Sequence, residues 1–441
     1  MNAPHRRLAC PGLADPMPTG DGLLARLVPS GRTIGLDAFT KLCAAARRHG
    51  NGIVEITARG SIQVRGLRPD AAFAADVGAL AIATNGIPVI VDPLAGIETN
   101  AAIDAGALAD TLRTRLAPLT PQLGPKVAVI VDAGGALHLD RLAADIRLLL
   151  DPQGQRAFLS IGGDAARATP IGTVPLAEVV ESAHRALHIL AQRGRDARGR
   201  DLARGQGPEM LRASLGITGS RGTHPPRPHS EPIGTHPLRD GTVALGIGLA
   251  FGHTDTHALE ALIEAATASG ANGVRTAHRA LLVIGLSAEG AAHVAAIAEA
   301  LGFLTRANDT RRYIAACAGA PICASAQIAS RTLAPAVAKA AAHLLDGSFV
   351  LHLSGCAKGC AHPARSALTI VGRDGHCDLV VDGSAADAPI GSVAAEALPA
   401  RLAAIANDVV RSRRCGESVA DVLTRLRVTP AVEALSEADH G

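Results

Sequence analysis

The chain repeats itself at low fidelity, and the interval of the repeat limits its fold more than any other feature. Leu42, Asn51, Arg59 and Leu67 return as Leu262, Asn272, Arg279 and Leu286, at offsets of 220, 221, 220 and 219 residues. Ahead of each copy stands an Asp-Gly step followed by an apolar run, at Asp21-Gly22 and Asp240-Gly241. Each copy reads as strand, helix, Asn-Gly turn, strand, and a further strand across a short connection. Such a unit leaves one sheet face bare, so two copies are expected to cover each other. One ordinary core does not serve 441 residues, and two or more domains are expected.

A second αβ block follows each copy. The first block carries a strand at 126–131, a helix-like stretch at 139–150 and a helix at about 177–192. The second carries a helix at 333–345 and a strand pair, 367–371 and 377–382, joined at Arg373-Asp374-Gly375. Residues 193–237 are dense in Gly, Pro, Arg and His with weak periodicity, and read as a linker or an insertion. Residues 390–426 read as one or two helices.

Only the second block holds cysteine pairs. Cys317 and Cys323 have five residues between them, Cys356 and Cys360 have three, and 32 residues separate the pairs. Both loops are built almost wholly of Gly, Ala, Ser and Pro. An iron-sulfur cluster needs thiolates, backbone amides close to its sulfides and little water, which small residues allow and bulky ones obstruct. The pairs therefore read as cluster ligands, and the chain as one that moves electrons. Structural zinc would accept the spacing of the second pair but not of the first. Disulfides would need an oxidising compartment, for which nothing in the sequence argues. Cys43 and Cys377 sit in apolar periodic stretches and read as core. Cys10 and Cys415 have no close partner, and Cys10 is open to a reactive role.

Composition removes several classes. There is no Trp, one Tyr and six Phe, so stacking platforms for single-stranded nucleic acid are not expected. A net charge of +3 argues against a polyanionic polymer as partner. The 43 basic residues include only four lysines, Lys41, Lys126, Lys339 and Lys358, leaving 39 arginines. Arginine grips carboxylates through a two-pronged fork, so an Arg-lined pocket for a polyanionic small molecule fits, beside a general drift toward Ala, Gly and Arg. Residues 1–22 read as neither signal peptide nor twin-arginine leader, and no long uncharged apolar run suggests a membrane span. The cytoplasm is the expected compartment.

With repeat and cysteine spacing together, the chain resembles the sirohaem sulfite and nitrite reductases. The resemblance implies an α+β fold of two pseudo-symmetric halves, each a ferredoxin-like half-domain followed by a larger αβ domain. On this chain the half-domains fall at 14–75 and 238–303 and the αβ domain without cysteine ligands at 80–192. The linker or insertion is 193–237, the cluster-binding αβ domain 304–385, and C-terminal helices and tail fill 386–441. Within that superfamily the chain looks most like the precorrin-3B synthases. That likeness rests on the Cys10-Pro11-Gly12 and Pro16–Gly22 segments, His49–Gly52, Thr57–Arg59, Gln63–Leu67 and the two cysteine loops. It implies an oxygen-dependent hydroxylation of precorrin-3A with γ-lactone formation, in aerobic cobalamin biosynthesis. It further implies a 4Fe-4S cluster on Cys317, Cys323, Cys356 and Cys360, a mononuclear iron, an electron donor, and dioxygen as co-substrate.

By the same resemblance Arg59 and Lys126 match active-site positions of the reductases. Arg59, Arg65, Arg275 and Arg279 are the candidates for holding substrate carboxylates. Two departures stand out. The second reductase lysine falls on Ala128, and an Arg-Asn motif is missing from Asp92–Glu98. Losing two cationic donors argues against sulfite or nitrite as substrate. A sirohaem-dependent reductase, with sirohaem or haem bound, and a non-catalytic iron-sulfur carrier stand as the alternatives. His253 and His257 have a helical ligand spacing, although Thr254 or Asp255 reads equally as a helix cap there. His49 and His362 adjoin strong motifs without a visible partner.

Overall fold

Residues 53–67 alternate apolar and polar side chains, and that period of two decides their structure. In the computed structural model, which describes residues 11–99, 103–220, 227–228 and 230–426, Ile53–Ile56 pairs antiparallel with Ile62–Leu67. Val54, Ile56, Ile62 and Val64 share the buried face, while Glu55, Gln63 and Arg65 share the other. Helix Leu36–His49 covers the apolar face with Phe39, Leu42, Cys43 and Ala46. The second copy repeats this scheme, with strands Gly273–Ala277 and Ala280–Leu286 and helix Thr256–Ala268. That helix buries Leu259, Leu262, Ile263 and Ala266, each 220 residues after its counterpart. Asp255 caps it by accepting from the Ala258 amide at 2.9 Å, so His257 sits in the first helical turn and His253 precedes the helix.

One glycine pair shows how closely the copies agree. Gly66 and Gly285 both have left-handed φ, +67° and +84°, and a Cβ on either would strike the side chain of Asn51 or Asn272. The asparagine of each turn thus packs on a residue that has to be glycine. The two helices lie against each other and are joined by an Arg47–Glu260 ion pair, and the strands bridge between Ile34 and Val274.

The described residues divide into two compact parts: those within 11–17, 24–248 and 255–307, and those within 18–23, 249–254 and 308–426. The first holds both half-domains and one αβ block. Its sheet runs Thr169–Pro175, Arg156–Gly163, Ala144–Leu150, Val129–Asp132, Val89–Val91, with the last two pairings parallel and the others antiparallel. The expected helix at 139–150 is therefore a strand over 144–150. Six of its seven residues are buried, and burial of both faces erases the alternation by which a strand is recognised. Within 193–237, Gly199–Leu215 is helical, and its Leu202, Leu211 and Leu215 enter the αβ core. Buried Asp145 fixes the start of that helix, accepting from Gly199 N and from two nitrogens of Arg198, each at 2.8 Å.

The second part has a sheet of the same order and sense. Ile314–Ala316, Leu351–Ser354 and Ser366–Arg373 pair parallel, and His376–Gly383 and Gly391–Ala394 extend them antiparallel. The expected helix at 333–345 begins earlier, as Ser330–Ala340, and ends in a short 3-10 turn at Ala342–Leu344. Residues 390–426 supply a strand before their two helices, Leu398–Ser412 and Val419–Leu426. Among the described residues no helix is long and apolar enough to cross a membrane.

Acids cluster where the parallel strands of the first block end. Asp92 and Asp132 are each 1 % exposed and Glu98 5 %. Arg227 clamps Asp132 (2.7 Å) and Asp140 (3.0 Å through Nε), and Asp92 accepts from the Ala133 amide at 3.2 Å. Burial, then Asp132 and Glu98, raise the Asp92 carboxyl well above the usual range, so the folded chain favours its protonated form.

Two outcomes follow. Leu211→Ala should cost about 2–5 kcal/mol in urea unfolding, because the inserted helix is part of the core. Folded Asp92 holds a proton that the unfolded chain releases above a pH of about 4, so this group's contribution to stability falls as pH rises from there. The stability of Asp92→Asn relative to wild type should accordingly grow with pH across a urea series, and a constant difference would refute the protonated state.

Candidate functional site

Parallel pairing sets Ile314 beside Leu351 and Ala316 beside Leu353, so the next residues of both strands leave the same end of the sheet. Cys317 follows the first strand directly, and Gly355-Cys356 follow the second. That end of a parallel sheet is where ligands commonly bind. The Gly355 amide donates to Cys317 Sγ at 3.0 Å, and Ser330 Oγ lies 3.6 Å from the same sulfur. Ser330 opens helix Ser330–Ala340, whose positive end favours a thiolate. Two bonds tie the cysteine loops together. Gln327 N donates to Gly355 O at 2.7 Å, and Lys358 Nζ donates to Ser325 Oγ at 2.8 Å. Cys317, Cys323 and Cys356 are half-buried and Cys360 is exposed.

The residues present fit an iron-sulfur cluster. Backbone comes close to sulfur only because side chains are missing: a Cβ on Gly355 would stand 3.2 Å from Cys317 Sγ, and one on Gly20 2.3 Å from Cys323 Sγ. An amide already points at one sulfur, as cluster thiolates require. The described cysteines are all free of disulfides. Among the described residues no group of three or more His, Cys, Asp or Glu forms a site for a metal ion, so the fit to a cluster rests on the chemistry of the loops and not on a closed set of ligands. Cys43 and Cys377 are buried core residues, with burial pushing their thiols up to about 12 and about 11. Cys10 lies outside the described residues.

No local pattern in the sequence marks His352. It is fully buried on the middle strand, and its two ring nitrogens have no hydrogen-bond partner among the described residues. Burial, and then neighbouring His362, push it down to about 4, so the ring is neutral. The two rings meet edge to face at 5.8 Å, which gives His362 a partner that sequence reading could not see. His49 also gains one, its Nε2 lying 2.8 Å from Asp76 Oδ2.

The candidate arginines lie in the first part of the chain and differ sharply from one another. Arg275 is 7 % exposed, and its guanidinium is committed to Thr33 Oγ1 (2.9 Å) and the carbonyls of Ala95 (2.8 Å) and Pro93 (3.3 Å). Burial pushes it down to about 10, and it serves to anchor the Asp92–Glu98 turn. Arg65 stands 3.5 Å from Glu55, which also receives the Gln63 amide at 3.0 Å in the orientation that satisfies both ends of that amide. The Gln63 oxygen then accepts from Arg26 at 2.8 and 3.1 Å. Arg279, held at φ 53° with its amide donating to Thr57 O, is depressed by burial and feels Glu55. Arg26 through Gln63, Arg65 directly and Arg279 through its field are thus all linked to Glu55. Arg26, Glu55 and Gln63 were missed in the sequence, where their shared side of an alternating strand was the available signal. Arg59 donates to Ala143 O at 3.0 Å, and Lys126 is exposed just ahead of strand Val129–Asp132.

Known proteins match this chain in family and fold. The family described as nitrite/sulfite reductase ferredoxin-like half domain matches residues 15–75. The structure of the Mycobacterium tuberculosis NirA protein superposes with a TM-score of 0.69 over 91% of this chain and 83% of that one, at 18% identity, which establishes the α+β fold. A precorrin-3B synthase from Sinorhizobium sp is 40% identical over 446 residues, covering 98% of this chain and 95% of the relative. At that identity over nearly its whole length, this chain belongs to the precorrin-3B synthase family.

Proposed function

We propose that the protein is an oxygen-dependent oxidoreductase that converts precorrin-3A to precorrin-3B. The observation that carries this reading is the near full-length relationship to a precorrin-3B synthase. Cys317, Cys323, Cys356 and Cys360 would hold a 4Fe-4S cluster, with Gly355 N and Ser330 Oγ supporting the Cys317 thiolate. Such a cluster supplies one-electron transfers when bound. The family's mononuclear iron has no ligand set assigned on this chain. One oxygen atom is added at a meso carbon as a hydroxyl while a ring acetate closes on the neighbouring ring carbon as the γ-lactone, and the other oxygen leaves as water, so each turnover consumes two electrons and two protons from an external donor. Closure of the lactone leaves the added oxygen in the product.

Precorrin-3A carries many carboxylates around its ring. Arg59, Arg65 and Arg279 are assigned to bind them, with Arg26 beside them, while Arg275 belongs to the fold. Arg279 is the best placed for a ligand, because its charge is drawn out of water without a carboxylate at ion-pair distance among the described residues. Lys126 is assigned a second, solvent-facing contact. Sulfite or nitrite reduction is disfavoured by Ala128 and by the acidic Asp92–Glu98 turn, which stand where the reductases place cationic donors. Activity in the cytoplasm accords with the free cysteines.

Incubating anaerobically purified protein with precorrin-3A and a reductant, then admitting oxygen, should yield a product heavier by one oxygen atom. Recovery of starting material alone from protein carrying its iron and sulfide would sink the assignment, and intense sirohaem bands in the visible spectrum would favour the reductase. Arg279→Gln should raise KM for precorrin-3A by roughly 10- to 150-fold, the equivalent of one charge-assisted bond of about 1.5–3 kcal/mol. Its kcat should change little, and an unchanged KM would remove Arg279 from the site.

A further inference from the structure

The segment Pro16–Gly22 stands out in the sequence, yet neither the cluster ligands nor the arginines account for it. Structurally it is a tight hairpin: Gly20-Asp21 form the turn between strands Met17–Thr19 and Gly22–Pro29. Thr19 Oγ1 donates to Asp21 Oδ1 at 2.7 Å or to Gly22 O at 2.8 Å, which stiffens the turn. Residues 18–23 belong to the same compact part as the cysteine loops, about 300 positions further along the chain. The turn is docked there by a backbone bond, Ala324 N donating to Gly20 O at 2.8 Å.

Gly20 lies over Cys323. A Cβ added to it would stand 2.3 Å from Cys323 Sγ and 3.1 Å from Ser325 Oγ. Its backbone is outside the left-handed region, so an alanine there meets no conformational penalty, and the space is the whole constraint. Ser325 is itself held by Lys358 from the other cysteine loop, and at 3.1 Å it has to give only a few tenths of an ångström, so the Cys323 sulfur is the atom that must move. The docking bond prevents the turn from lifting.

We propose that Gly20 is a positioning residue for the cluster: its missing side chain lets the N-terminal turn close over Cys323 and hold that thiolate in its iron-binding orientation, shielded from water. The inference rests on the cluster reading given above. Its physical core is a difference between two states. A free thiol turns about its Cα–Cβ bond and escapes an added methyl at small cost. A thiolate bonded to iron has one orientation and cannot. Gly20→Ala should therefore leave the apoprotein nearly unaffected and weaken the loaded one.

The test reconstitutes wild type, Gly20→Ala and Gly35→Ala under anaerobic conditions with iron and sulfide. Gly35 is the control, since a Cβ there meets nothing within 4 Å. The readouts are iron and labile sulfide per chain, the electron paramagnetic resonance spectrum of the reduced protein, the rate of iron loss to a chelator, and the melting temperature of each apoprotein. Gly20→Ala should lose iron roughly tenfold faster or more, the usual cost of disturbing a group that orients a metal ligand, with a shifted resonance spectrum and an apoprotein that melts like wild type. Retention of the cluster by Gly20→Ala as firmly as by wild type would overturn the proposal alone. Wild type that takes up no cluster would overturn it together with the reading beneath it. Should Gly20→Ala melt lower as apoprotein, a double-mutant cycle with Cys323→Ala decides the matter. Coupling between the two changes supports the contact, and additivity refutes it.

Discussion

A single backbone amide, donated across two neighbouring parallel strands, organises the end of the sheet in both αβ blocks. In the second block Gly355 N donates to Cys317 Sγ. In the first, Ala133 N donates to Asp92 Oδ1. Strand register makes these the same bond. Val91 pairs with Val131 as Ala316 pairs with Leu353, so Asp92 stands where Cys317 does and Ala133 where Gly355 does. The donor persists while the acceptor has changed from a sulfur to a carboxyl oxygen. Everything else at each strand end is arranged around that choice.

The correspondence extends along the loop. Five residues separate Asp92 from Glu98, as five separate Cys317 from Cys323. The thiol loop is open to small residues on every side, whereas the acid loop is closed by its own chemistry. Burial and the neighbouring acids favour the protonated form of Asp92, Arg227 clamps Asp132 and Asp140, and Arg275 holds the carbonyls of the turn. Without these partners, burying three carboxylates together would cost several kcal/mol each. One half has thus closed its strand end with its own side chains, and the other surrounds its cysteines with small residues.

Much of this was legible in the sequence because it is written in local patterns. The repeated half-domain shows through the Asn-Gly turns, the glycine opposite each asparagine, and buried helix positions matched at an offset of 220. The cysteines were visible as spacing in small-residue loops. Failures occurred where tertiary burial removes the pattern. Strand Ala144–Leu150 is covered on both faces and lost its alternation, and helix Gly199–Leu215 hid behind Gly, Pro and Arg although three of its leucines are core. Arg275 looked like its neighbours in sequence, and only the carbonyls it binds reveal a structural role. Partners far apart along the chain, such as His352 with His362 or His49 with Asp76, follow from topology and leave no local trace.

The arginines divide by the same rule that separates the two strand ends. A buried cation whose donors already meet protein acceptors is part of the fold, and Arg275 satisfies that description. A cation drawn from water without an acceptor at bonding distance is costly unless something else arrives to compensate it. Arg279 comes near that condition among the described residues: burial depresses it, and Glu55 is the acid it feels. Under the proposed reading an anionic ligand would add the acceptor that this guanidinium lacks. A substrate edged with carboxylates would supply one, whereas an electron carrier has no such group to offer.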